Sequence, residues 1–430
     1  MTKQFSSLAF SVFCTVATAC HLDQGGSQKS AKPANVSGPG ADSGQASDAG
    51  RPGGGGRSDA AGQGVEDAGG PQNEAGPGSA FEAGVLCSGD PLDPLCAFQA
   101  KRKISFDATK LAQPLVDFPV LVTLDPSRID YSKAQPDGHD LRFVDSDGTT
   151  WLAHEIERWQ MGGTSSIWVK VPHFAPGEVH DIYMIYGSDN TPLDHHAQAV
   201  FSADYAAVYH LSDDLSGHLV RDSLGQQHGM VAPSMSASDS VAARVGNGLT
   251  FDGADHRVQL GGLDMSGWTA FTLEAWVLQQ EDVDARILCQ ADSSEAQEHV
   301  ACLGVAGDKL RVFLSTQGEE GRAESYDAPG ASTGSWSHLA VAWDAQSHEL
   351  RVLRNGFLVR TFKHEGARLG DSALPLILGS LDVNDERILN GVVDEVRISS
   401  VARSSLWLQA TVAAINESIT TYGPEQPFLP

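Results

Sequence analysis

Residues 336–360 read WSHLAVAWDAQSHELRVLRNGFLVR. Three short apolar runs are separated by the polar DAQSH and by Asn355-Gly356. Runs of this length between turn signals read as strands. Asn-Gly is the strongest two-residue hairpin signal, because both positions of that turn take positive φ. The same grammar continues on both sides. Arg257–Leu260, Phe271–Val277, Arg286–Cys289, Ala301–Val305, Lys309–Leu314, Leu374–Leu378 and Val392–Ser399 are short, apolar and bounded by polar turns. So many strands within 203–425 predict two large packed sheets, not a small barrel. One segment, Ser405–Ile415, carries a weak helical stripe through Leu406, Ala410 and Ala413–Ala414.

A second all-β segment precedes this one, over 83–190. Ile104 and Phe106 alternate, Phe118–Leu124 is nearly continuous, and Leu141 and Phe143 alternate before the turn Asp145-Ser146-Asp147-Gly148. Ile167, Val169 and Val171 share a face, and Asp181–Tyr186 closes the group before Gly187. The pair His195-His196 follows in a polar connector. Adjacent residues of a strand point to opposite faces, so the pair is read as connector and not as a metal pair.

The first 82 residues differ in kind. Lys3 and the apolar, small-residue run from Phe5 to Ala19 have the pattern of a secretory signal, with Ala17-Thr18-Ala19 as a small-x-small cleavage site. Cys20 follows directly and resembles the acylated cysteine of bacterial lipoproteins. The expectation is a signal peptide over 1–19 and a lipid-anchored Cys20, with plain secretion as the alternative. Residues 21–80 hold 16 of the 45 glycines, and Gly, Ala, Ser, Pro and Asp fill 43 of those 60 positions. Such a segment cannot offset its ordering entropy by burial, so 20–82 is expected to be a disordered linker. Its mean reach is roughly 40–45 Å.

The chain has 29 Lys plus Arg against 55 Asp plus Glu, a net charge of −26. This argues against nucleic acid as a partner, which requires a basic footprint. Besides Cys14 and Cys20 there are Cys87, Cys96, Cys289 and Cys302. Four cysteines allow three pairings. The spacing favours the local ones, Cys87 with Cys96 and Cys289 with Cys302, in an oxidising compartment. The absence of a C-x-x-C pair argues against zinc on these four.

The segments GLTFDGADHRVQL, FTLEAWV, GSWSHLAVAWD, LRVLRNGFLV, PLILG and NGVVDEVRIS together resemble a laminin-G-like domain of the concanavalin A-like lectin and glucanase superfamily. Ahead of it, KRKISFDA, LVDFPVLVTLD, HDLRFVDSDGT, HEIERW, IWVKVP and IYMIYG resemble a bacterial domain of unknown function, number 2341. The resemblance implies an all-β chain of two β-sandwich domains. The C-terminal one would be a concanavalin A-like jelly roll. It also implies a structural calcium held by Asp222, in the segment RDSLGQQHG, and by Asp394 of DEVRI. Oxygen donors of this kind suit calcium.

Other candidate sites come from the residues themselves. Glu155 and Glu157 of HEIERW share a face if the segment is a strand, about 6.5–7 Å apart at the backbone, within the range of paired-carboxylate glycosidases. Solvation or pairing with Arg or Lys is the commoner fate of such a pair. Trp268 follows a polar turn, and Trp159 and Trp168 flank the MGGTSS loop, so these three are the candidates for stacking a sugar ring. The E-x-D-x-x-E motif of laminarinase-like hydrolases does not occur, nor do G-x-S-x-G, H-E-x-x-H or a P-loop. No catalytic residue is therefore assigned. The expected function is an exported, surface-anchored, non-catalytic protein that recognises carbohydrate or another extracellular macromolecule, in the outer membrane or at the cell surface. A periplasmic or secreted form is the alternative location. The alternative functions are a polysaccharide hydrolase or lyase, and a structural or adhesion module.

Overall fold

A computed structural model describes residues 97–189, 195–201, 204–291, 299–317 and 324–428. All of them lie in one compact unit spanning 73–430. The signal and linker expectations, Cys20, and the pair Cys87 and Cys96 fall outside the described residues. Among the described residues no helix is long and apolar enough to cross a membrane.

The structure is mostly β-strand and has two sheet-containing regions. In the first, five strands pair in the order Thr420–Pro427, Ala100–Asp107, Val179–Tyr186, Arg142–Asp145, Trp151–Leu152. Three more pair as Leu115–Leu124, Ser165–Phe174, His154–Arg158. The two sheets enclose one core that includes Ile104, Phe106, Phe118, Phe143, Val169 and Met184. The alternation read at Ile104 and Phe106 is thus the inward face of a half-buried strand.

Thr420–Pro427 pairs antiparallel with Ala100–Asp107, so the end of the chain returns to the first region. Its alternating polar sequence, TTYGPEQP, has little apolar content, which fits an edge position.

In the second region two eight-stranded sheets face each other. One runs Glu324–Pro329, Lys309–Leu314, His299–Ala306, Ala285–Ala291, Leu376–Leu378, Val258–Leu260, Gly229–Val231, Leu219–Val220. The other runs Ser240–Ala242, Asn247–Asp252, Asn390–Ser399, Ala270–Gln279, Ser337–Asp344, Glu349–Arg354, Phe357–Lys363, with Tyr205–Tyr209 also paired to Asn390–Ser399. Ile287, Leu303 and Val312 of the first sheet and Phe271, Trp343 and Val393 of the second share one buried core. Asn355 and Gly356 have φ of 51° and 78°, as the hairpin turn requires. Cys289 and Cys302 sit opposite each other on adjacent strands and form a disulfide.

Among the described residues the one long helix, Ser405–Ile415, is capped by the Ser404 side chain, which accepts from the Trp407 N–H. Ala410 and Ala414 pack into the core of the first region, while Leu408 packs against Ala340, Ala342 and Leu353 of the second. A helix clasped on two sides is apolar over most of its circumference, which is why its stripe is weak in the sequence.

Candidate functional site at the seam of the two regions

The strand Asn390–Ser399 crosses the middle of its sheet. Val393, Val396 and Ile398 point into the core. Strict alternation would set Asp394 and Val396 on one face, but the pairing with Ala270–Gln279 shifts register between Glu274 and Trp276. Glu395 absorbs the extra residue with φ of 50°, a left-handed conformation that costs a non-glycine residue free energy. The bulge turns Glu395 and Arg397 away from the sandwich core, toward the first region. Bulges that re-aim side chains are common beside functional sites.

His210, just past Tyr205–Tyr209, meets them there. Its Nδ1 lies 2.6 Å from Glu395 Oε1, and Arg397 Nη2 donates to Glu395 Oε2 at 2.6 Å. The first region supplies two further carboxylates. Glu157 Oε2 is 3.7 Å from His210 Nδ1, and Glu155 Oε2 is 3.6 Å from His210 Nε2. Glu157 is fixed by two donors, Trp168 Nε1 at 2.8 Å and Ser212 Oγ at 2.8 Å. The Trp168 ring stacks on His210 at 5.7 Å with 14° between planes, and the Arg397 guanidinium lies 4.6 Å from the same ring.

The electrostatics follow from burial. Side chains of Glu157, Glu395 and Arg397 are at most 1% exposed and that of His210 is 9% exposed. Burial disfavours every charge here. It pushes the Glu157 carboxyl up to about 7, with the neighbouring Glu395 adding to the rise against the pull of His210. Burial also works against Glu395, yet His210 and Arg397 hold its carboxyl below the ordinary value. His210 is held well above its ordinary value by Glu395 and Glu157, against its own desolvation. Burial pushes Asp394 well up, with Glu395 and Glu157 adding to the rise.

Above this cluster opens a polar cleft of about 590 Å³, lined by Glu155, Glu157, His210, Asp213, Asp214, Arg221 and His228 among others. The geometry therefore brings together the Glu155–Glu157 pair, which the sequence singled out, and His210, Ser212, Glu395 and Arg397, which it did not. The available signal was the charged triplet within NGVVDEVRIS. The resemblance drew attention to Asp394, and only the bulge reveals Glu395.

The calcium expectation can be tested on the donors. Asp222 Oδ1 accepts from the N–H groups of Val208 and Leu224, and Oδ2 from those of Gln226 and Gln227. Asp394 Oδ2 accepts from the Val245 N–H and Oδ1 from that of Glu395. Amide hydrogens aimed at these oxygens occupy the directions a cation would need. Asp222 holds its loop and Asp394 holds a turn, and the pair does not fit a shared calcium. Among the described residues two groups have donors close enough to hold an ion. They are Glu157, His210 and Glu395, and Asp252, Asp255 and His256. In the second group Asp252 Oδ1 already accepts three backbone N–H bonds of its own turn, from Ala254, Asp255 and His256.

The tryptophans also differ from expectation. Trp168 is fully buried and cannot stack a ligand; the seam between the regions covers it. Trp159 is half-buried, with its ring against Tyr131 at 5.2 Å and over Gly138, where a Cβ would lie 2.6 Å from it. The two thus form no exposed rim pair. Trp268 is half-buried against the sandwich core. The exposed tryptophan is Trp151, beside Phe98.

No curated protein matches the chain in sequence. Among solved structures, the binding domain of Paraclostridial Mosquitocidal Protein 1 is similar at 12% identity and a TM-score of 0.40, over 49% of this chain and 52% of that one. The ligand binding domain of botulinum neurotoxin serotype D, in complex with N-acetylneuraminic acid, is similar at 12% identity and a TM-score of 0.40, over 50% and 52%. Domain 4 of AbnA, a GH43 extracellular arabinanase from Geobacillus stearothermophilus, in complex with arabinotriose, gives 16% identity and a TM-score of 0.38, over 49% and 98%. The matched part thus spans about half the length of the first two structures. In sequence, the chain carries a domain of unknown function (DUF2341) matched over residues 137–223, followed by a domain of the concanavalin A-like lectin/glucanases superfamily matched over residues 252–409.

Proposed function

We propose that this chain is an exported, surface-anchored, non-catalytic protein that binds a carbohydrate or another hydroxyl-rich extracellular macromolecule. The observation that carries the proposal is the polar cleft at the seam. Acceptors (Glu155, Asp213, Asp214) and donors (Arg221, Gln198) line one concavity. Binding sites place a few convergent polar groups where a ligand must be oriented, and a sugar offers hydroxyls that both donate and accept. The superfamily matched over 252–409 supports the same proposal, which takes the second region as a concanavalin A-like jelly roll. Export by residues 1–19 and anchoring through Cys20 complete it.

A glycan array probed with the full chain tests the binding. Binding to one sugar class, lost in Arg221→Ala and Asp214→Ala, is the expected result. Arg221 is 68% exposed at its side chain, so its removal leaves the fold intact. A blank array with well-folded protein overturns the proposal. Loss on Trp268→Ala or Trp151→Ala alone moves the site out of the cleft. Anchoring is tested by labelled fatty-acid incorporation in cells, expected in the wild type and abolished by Cys20→Ala.

A further inference from the structure

We infer that the seam cleft is one end of a longer groove, and that this groove takes several consecutive residues of an extended polysaccharide chain. A second concavity of about 610 Å³ opens on the second region, lined by His228, Met230, Gln259, Gly262, Ser372 and Pro375 among others. His228 also lines the seam cleft. The two concavities therefore meet at one exposed side chain. The inference rests on the reading of the cleft as a sugar site. It adds the length of the ligand and the direction in which it runs.

The junction is held in place by its neighbours. His228 Nδ1 accepts from the Asp222 N–H at 3.1 Å, so the ring proton sits on Nε2, where it can be donated to a ligand. Asp222 is itself fixed by the N–H groups of Val208, Leu224, Gln226 and Gln227. Gly261 presses against the same segment. A Cβ there would lie 2.7 Å from the Gln227 carbonyl carbon and 2.8 Å from the His228 oxygen, so only glycine lets the two backbones come this close. At the next residue, Gly262, a Cβ would meet open space. These two glycines put no side chain into the second concavity beside His228.

The second concavity carries the mixed chemistry that a sugar matches. Met230 and Gln259 stand opposite each other on paired strands and both point outward, while Val231 and Val258 beside them are buried. Met230 is 52% exposed, and the exposed Gln259 amide makes no hydrogen bond among the described residues. A thioether offers an adaptable apolar surface, and an amide both donates and accepts. A sugar ring presents C–H faces to the one and hydroxyl edges to the other. The rim is pinned: the Ser372 N–H donates to Ser266 Oγ, and Gln290 Nε2 donates to the Leu374 carbonyl at 2.8 Å. Each concavity alone has the volume of a small-molecule site. Only a linked chain occupies both. Linking makes the second contact intramolecular, so affinity climbs with chain length.

The test is calorimetric titration of the full chain with graded oligosaccharides, from monosaccharide to hexasaccharide, of glucan, xylan, arabinan and N-acetylglucosamine polymers. In the series that binds, affinity should rise about tenfold or more from the shortest to the longest member. Gln259→Ala and Gly262→Gln should each remove most of that gain and leave the shortest member bound as before, whereas Asp214→Ala should weaken every length. Gln259 and Gly262 are both exposed, so the fold tolerates these changes. His228→Ala should weaken the long members roughly three- to tenfold, the loss of one hydrogen bond. Affinity that ignores length, or a gain that survives in both Gln259→Ala and Gly262→Gln, overturns the inference and leaves the reading of the cleft standing. Binding that Asp214→Ala leaves intact at every length overturns the reading of the cleft and the single groove with it, as does a chain that binds none of these oligomers.

Discussion

The indole N–H of Trp168 donates to Glu157 Oε2 across 2.8 Å, and this bond ties a fully buried ring to a carboxylate at the seam. The ring also stacks on His210 and carries the Arg397 guanidinium on its face. Trp168 therefore acts in two ways, as a donor and as a flat apolar wall. Trp168→Phe removes mainly the donor and leaves a buried carboxylate oxygen unpaired, at an expected cost of about 1–3 kcal/mol. Trp168→Ala removes the wall too, at about 3–5 kcal/mol. Urea unfolding of the two variants checks the order. Equal losses would mean that the hydrogen bond contributes nothing.

Arg397 and Glu395 form a pair from which water is excluded, with side chains 1% and 0% exposed. Breaking such a pair costs more than replacing both members. Arg397→Met should destabilise the chain by about 3–5 kcal/mol, since Glu395 keeps only His210 as a cationic partner. The double variant Arg397→Met/Glu395→Leu should recover part of that loss. A double-mutant cycle by urea unfolding measures the coupling, and strict additivity would show that the two side chains do not interact.

Much of this architecture was legible in the sequence because it rests on period-2 patterning and turn chemistry. Asn355-Gly356 announced its hairpin, and ILCQ and ACLG announced facing strands that join Cys289 to Cys302. What was not legible depends on register and on contacts between distant segments. Glu395 reaches His210 only because one residue bulges out of a strand. Glu157 meets Ser212 across 55 residues of chain, and no local pattern encodes that distance. Trp168 looked like a rim residue because its neighbouring loop is polar, while the second region that buries it is remote in sequence. The strand Thr420–Pro427 is nearly devoid of apolar residues, so its return to the first sheet left no hydrophobic signal.

The disulfide between Cys289 and Cys302 closes a loop with a sequence separation of 13. A crosslink of this length restricts the unfolded chain and is worth about 3 kcal/mol in the chain-entropy account. Both sulfurs are buried, beside Phe313 and Leu381. The Cys289→Ala/Cys302→Ala variant should therefore melt several degrees lower in oxidising buffer. In strong reductant under denaturing and refolding conditions, the wild type should approach the variant. A melting curve that ignores both treatments would show that the bridge does not constrain the unfolded state.

His154 gives the chain a specific acid sensitivity. Its ring is 1% exposed, and its Nε2 lies 2.9 Å from His195 Nδ1, a contact in which one nitrogen must accept, so the two rings cannot both be cationic. Burial, reinforced by His195 and then by Arg142, pushes His154 down to about 3. An unfolded histidine takes its proton near pH 6.5. Between these limits the unfolded chain binds a proton that the folded chain refuses, so stability falls as pH falls. The contribution is complete above about pH 6.5 and declines by about 1.4 kcal/mol per pH unit below it. Carboxylates titrate in the lower part of this window, so the informative quantity is the difference between two proteins. His154→Gln should be less stable than the wild type at pH 7, yet lose less stability between pH 6.5 and 4.5. Urea unfolding at several pH values compares the slopes. Parallel slopes would mean that His154 is protonated in the folded chain, and the account of its burial would be wrong.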